Sequence, residues 1–135
     1  MTADSTPASY PAALDMAAEL LGGRLEPFVE PGPAEPANAG DFTRLATMHT
    51  FGDAWPRTEF LDLQTRALIS VTIAAVLGTL EPLRGQLRIA LNNGVSPEQI
   101  VEVFIQLEAY AGAARAFDSY RIAREVFAER NADLL

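Results

Sequence analysis

The chain contains no cysteine. Disulfides, thiolate nucleophiles, thiolate zinc sites and CxxC redox chemistry are excluded together. Lysine is absent as well, because all ten basic residues are arginines, and Schiff-base chemistry at a lysine amine goes with it. A single histidine cannot build a multi-histidine metal site, so no metal is expected. Positive charge is scarce beside negative: ten basic side chains stand against 18 acidic ones, for a net charge of −8. Such a chain has no general attraction for phosphate backbones, and nucleic acid is not an expected partner. No uninterrupted apolar run reaches the ~20 residues of a membrane span. The opening MTADSTPASYP carries an acid and no base, and no apolar run follows it, unlike a secretory signal. A soluble cytoplasmic protein without membrane partners is expected.

What is present is ordinary globular composition, with 49% apolar and 21% charged residues. A chain of 135 residues is long enough to bury a core as one domain. Ser9 caps a first helix with Pro11 in its first turn, an apolar stripe at Leu14, Ala17, Ala18 and Leu21, and a stop at Gly22-Gly23. Between residues 24 and 40, Pro27, Pro31, Pro33 and Pro36 remove helix donors, which predicts an extended arm. Asp41 caps a helix running to His49 and ending near Gly52, and Trp55-Pro56 makes a turn. The expected organisation is a helix and Pro-rich arm over residues 1–40, a helical domain over 41–130 and a tail over 131–135.

The most apolar segment, ALISVTIAAVL at residues 67–77, opens at Asp62 or Thr65 and closes at Gly78. Its β-branched residues lean towards strand, whereas its length, terminal glycine and helical neighbours favour helix. A helix apolar almost all round must be buried on most faces, and a small monomer rarely has room for that, so subunit contacts are expected. Pro82 sits in the first turn of the next helix, which stops at Asn93-Gly94. Ser96, Pro97 and Gln99 form a capping box ahead of the stripe Ile100, Val103, Phe104 and Leu107. Gly112 breaks the helix, and a last one runs over 113–130 with Phe117, Tyr120, Ala123, Arg124 and Phe127 at helical spacing. The fold class is all-α.

Three blocks in order, FGDAWPR, LDLQTRALISVTIAAVLG and LRGQLRIALNNGVSPEQIVEVFIQLEAYAGAARAF, resemble the carboxymuconolactone decarboxylase family. The resemblance runs from Phe42 to Phe127. It implies an alkylhydroperoxidase D-like all-helical subunit in a homo-oligomer, a trimer or hexamer. It also implies cofactor-independent decarboxylation of a small-molecule substrate, a carboxylated muconolactone. The peroxidase branch uses a CxxC pair that this chain lacks. Family decarboxylases carry Glu-Leu-x-x-His before Ala-Leu-Asn-Asn-Gly. The aligned stretch here is Pro82-Leu83-Arg84-Gly85-Gln86, so the glutamate and histidine positions hold Pro82 and Gln86. Glutamine hydrogen-bonds but does not titrate, and the usual acid–base pair is missing.

Six residues are candidates for the site. Gln86 lies between Leu83 and Ala90 at helical spacing and faces inward, as a buried amide or a donor to a ligand carbonyl. Glu108, beside Leu107, is a relocated acid or base with a raised pKa, or the partner of Arg66 or Arg115. Tyr110, in the family's YAG signature, donates to an oxyanion or packs in the core. His49 is a proton carrier or a structural histidine. Arg66 clamps a substrate carboxylate or bridges an interface, and Trp55 is a packing anchor or a ligand platform. The expected function is a decarboxylase-like lyase, isomerase or cyclase acting through an enolate on a small oxygenated ring compound, in aromatic catabolism or secondary metabolism. The alternative is a non-catalytic small-molecule-binding or scaffold protein of the same fold.

Overall fold

Local capping chemistry places most helix ends where the sequence puts them. The computed structural model describes residues 9–133, and among these it contains helices and no strand. The chain forms two compact units that divide between Asp62 and Leu63.

In the first unit, α1 spans Tyr10–Leu21, with the Ser9 hydroxyl accepting from the Ala12 amide at 3.2 Å and Pro11 in the first turn. Its buried residues are Ala13, Ala17 and Leu20, so the stripe expected at Leu14, Ala17, Ala18 and Leu21 is rotated by one position. Small alanines let α1 approach its neighbours closely, and the bulkier Leu14 takes the flank. The arm is not wholly extended: α2 spans Glu26–Val29, with Pro27 in the first turn, where a missing donor costs nothing. Next, α3 spans Ala39–Thr47, beginning two residues before the expected cap at Asp41, whose acid falls instead in the first turn. The helical run extends two residues past the end expected near Gly52. The helix widens into a π-helix over Met48–Ala54, and the Trp55 amide donates five residues back to the Thr50 carbonyl at 3.0 Å. Both α1 and α3 pack against this π-helix.

The second unit holds α4 (Leu63–Leu77), α5 (Leu80–Asn92), α6 (Pro97–Ala111) and α7 (Ala113–Asp133). The ambiguous apolar segment is helical. Its two hydroxyls return to the helix's own carbonyls, Ser70 to Arg66 at 3.0 Å and Thr72 to Leu68 at 2.8 Å. These polar side chains therefore need no solvent. Helix α4 buries Ala67, Val71, Ala74 and Ala75 and packs against α5, α6 and α7. Past the end of α5, Gln64 Nε2 donates to the Asn93 carbonyl at 3.1 Å and pins the turn.

The capping box of α6 is complete, with Ser96 Oγ accepting from the Gln99 amide at 3.0 Å and Gln99 Oε1 accepting from the Ser96 amide at 2.9 Å. Ser96→Ala is expected to cost about 1 kcal/mol, read as a lower urea midpoint at unchanged m-value.

The buried face of α7 runs through Ala116, Ser119, Ile122, Ala123 and Val126, and Phe117, expected on the stripe, projects outward at 75% exposure. Small residues again decide the register, since Ser119 sits close enough to α4 to donate to the Ala75 carbonyl at 3.0 Å. Tyr120 keeps an inward role, its ring edge-on to Phe104 at 5.3 Å. Along the other flank, Arg84 pairs with Glu125 at 2.7 Å and Arg88 with Glu129 at 3.0 Å, tying α5 to α7.

Candidate functional site

Two features of the second unit carry chemistry. The first is Gln86. On α5, Leu83, Leu87 and Ala90 are fully buried and form the inward stripe. At about 100° per residue, Gln86 lies on the flank of that stripe opposite Arg84 and Arg88. The residue is half-buried, and its Oε1 is buried without a hydrogen-bond partner. An orphaned buried acceptor costs roughly 1–3 kcal/mol, and native structures rarely keep one without a use. An amide in that position offers a ligand both a donor and an acceptor.

The second feature is an apolar groove of about 330 Å³ between α4 and α6. Thr72 and Val76 form one wall, and Val103, Gln106, Leu107 and Tyr110 the other. Among the described residues no charged side chain lines it. The Thr72 hydroxyl is engaged by its own helix, which leaves Gln106 and Tyr110 as the lining residues whose polar groups could reach a ligand.

Of the residues expected at the site, Tyr110 lines this groove and Gln86 does not. Tyr110 is not a core tyrosine, since it is 86% exposed at the groove mouth. The buried stripe of α6 runs through Ile100, Phe104 and Leu107, and Tyr110 falls to one side of it. Glu108 is exposed, not buried near that stripe, because it lies one residue, about 100°, round from Leu107. It pairs with no arginine among the described residues. Arg66 is half-buried in the first turns of α4.

His49 and Trp55 belong to the first unit. The His49 side chain is 84% exposed on the π-helix, with Nδ1 3.9 Å from Asp53 Oδ2. Trp55 is 4% exposed, which suits a packing anchor. Among the described residues no group of three His, Cys, Asp or Glu side chains is placed to hold a metal ion.

Gln106, Val103 and Thr72 were not expected in a site. The available signal was indirect: a helix as uniformly apolar as α4 needs a covered outer face, and the groove lies along it.

The sequence pattern of the carboxymuconolactone decarboxylase family matches residues 40–125. The 4-carboxymuconolactone decarboxylase of Acinetobacter baylyi is 31% identical over 87 residues, which cover 64% of this chain and 64% of that protein. The chain therefore spans slightly less than two thirds of this relative's length.

Proposed function

The chain belongs to the carboxymuconolactone decarboxylase family, and from that premise we propose that it is a cofactor-independent enzyme that forms an enolate on a small oxygenated ring compound. Decarboxylation, isomerisation and cyclisation all pass through such a species. The observation that supports this reading is the buried, unpartnered amide oxygen of Gln86, at the position where family decarboxylases carry histidine.

In a decarboxylation the carboxyl carbon–carbon bond breaks and carbon dioxide leaves. The electron pair stays behind as an enolate, and a proton is then added at carbon. The Gln86 Nε2–H group would donate to the enolate oxygen; the Tyr110 hydroxyl, which lines the separate α4–α6 groove, is the alternative donor for a substrate bound there. Glutamine carries no transferable proton, so within the second unit the proton carrier is assigned to Glu108, and the Arg66 guanidinium to a substrate carboxylate. Aromatic catabolism and secondary metabolism both supply enolisable ring acids of this kind.

A second reading, a non-catalytic small-molecule binder, is favoured by one observation: neither Pro82 nor Gln86 titrates.

Turnover of carboxymuconolactone by the wild type and by Gln86→His separates the two. The wild type is expected to exceed the uncatalysed rate, and the histidine variant to be faster by about 10²-fold, the lower range of general acid–base catalysis. Buffer-level rates in both proteins would remove the carboxymuconolactone decarboxylase reading and leave a different ring substrate or the binding role. Full activity in Glu108→Gln would remove the assigned proton carrier.

A further inference from the structure

The groove between α4 and α6 is a site of a different kind from the Gln86 flank. The buried Leu107 and half-buried Val103 line its α6 wall, and Val76 lines the α4 wall. Thr72 lines it too, but its hydroxyl is committed to the Leu68 carbonyl at 2.8 Å. Two polar side chains remain, Gln106 and Tyr110, and neither has a hydrogen-bond partner among the described residues. Both are exposed, so water satisfies them until a ligand displaces it.

Spacing joins these two residues. They lie four positions apart on α6, one above the other on the same face of the helix. Both therefore reach the same end of a ligand. A glutamine amide offers a donor and an acceptor, and a phenol hydroxyl offers either. A single ring hydroxyl satisfies both, donating to one and accepting from the other. The exposed Tyr110 also has room to lay its ring on a bound ring. From Val103 to Tyr110 the lining runs about 10 Å along α6, at 1.5 Å per residue, which suits one ring or two fused ones. Charge narrows the class further. The described lining carries none, and the chain as a whole carries −8. A carboxylate entering the groove would lose water with no cation to replace it, against the field of the whole chain. A neutral hydroxyl pays neither cost.

We infer that the α4–α6 groove is a binding site for a neutral hydroxylated ring compound, of the phenol class, and that it rejects carboxylates of the same shape. Val76, Val103 and Leu107 hold the ring, and Gln106 and Tyr110 hold its hydroxyl. At about 330 Å³ the groove is at the small end of ligand pockets, and its mostly apolar lining with two polar groups is their usual pattern. The inference rests on the groove alone and stands whether or not the decarboxylase reading does, since it is read by binding and not by turnover.

2-Naphthol and 2-naphthoate share a ring system and differ in charge at neutral pH. Calorimetric titration of each into the full chain tests the inference. 2-Naphthol is expected to bind at least about tenfold more tightly. Val103→Phe, which fills the groove from its wall, should remove that binding at unchanged helical circular dichroism. Gln106→Arg sets a cation at the end of the groove, on an exposed position, and should turn the preference towards 2-naphthoate. This variant gains a ligand, so misfolding cannot imitate the result. A wild type that binds neither probe, as when the groove is already covered in solution, overturns the inference. So does equal affinity for the two probes, 2-naphthol binding that survives Val103→Phe, or a preference that Gln106→Arg leaves unchanged.

Discussion

Gln86→Leu is expected to stabilise the fold and to lower its activity. Leucine fills a similar volume on the flank of α5 and removes an acceptor that has no partner in the chain. Replacing an unsatisfied buried polar group with an apolar one returns part of the 1–3 kcal/mol that its desolvation costs, so a gain of about 1 kcal/mol is expected. That corresponds to a melting temperature roughly 3–4 °C higher. Turnover should fall by about 10²-fold, the loss seen when one donor to a developing oxyanion is removed. Thermal melts and single-turnover rates on the same preparation check both halves. The pairing of outcomes is diagnostic. A structural glutamine would lose stability on replacement, whereas a functional one held at a cost to the fold gains stability as it loses activity.

The largest effect on stability is expected from Leu87→Ala. Leu87 is fully buried on α5, the helix that packs against both α4 and α7. Truncating such a side chain removes its transfer free energy and leaves a cavity, for a loss of about 3 kcal/mol. The melting temperature should drop by roughly 10 °C. Urea denaturation at unchanged slope would confirm that the loss is one of packing. Retention of wild-type stability would mean that α5 can slide to close the cavity, and the flank carrying Gln86 would then be less firmly held than its buried neighbours imply.

The helix boundaries were the most legible part of the sequence, because caps are local chemistry. The Ser9 cap, the Ser96–Gln99 box and the stop at Asn93-Gly94 all form between residues a few positions apart. The proline-dense arm concealed α2 and the early start of α3, since prolines forbid helix interiors but are tolerated in first turns. Registers were less legible. Hydrophobicity ranks Leu14 and Phe117 above alanine and serine, yet α1 and α7 bury Ala13, Ala17, Ala116 and Ser119, which allow closer approach. Which flank of a helix is buried depends on its neighbours, and no spacing within the helix records them. The same limit applies to Glu108 and Tyr110: both are exposed, where a carboxylate near the stripe and a core tyrosine were among the expected readings. Gln86, expected to face inward because Leu83 and Ala90 bracket it on the same helix, lies half-buried on the flank of that stripe. Its missing partner was not legible, since hydrogen-bond partners come from tertiary structure.

Gly112, which separates α6 from α7, sits at φ 94° and ψ 154°, a backbone state open essentially to glycine alone. A side chain there would meet nothing within 4 Å, so the requirement is one of torsion and not of space. The residue acts as a pivot, and the 21 residues of α7 form the lever attached to it. A turn of about 10° at the pivot would carry the tip of a lever roughly 30 Å long through about 5 Å. Ion pairs at 2.7 and 3.0 Å could not follow such a swing, so Arg84–Glu125 and Arg88–Glu129 work as a latch far out along the arm. The angle between the last two helices is thus set by the packing of α7's buried face on α4, α5 and α6, with the α5 ion pairs adding to it, and the glycine only permits it.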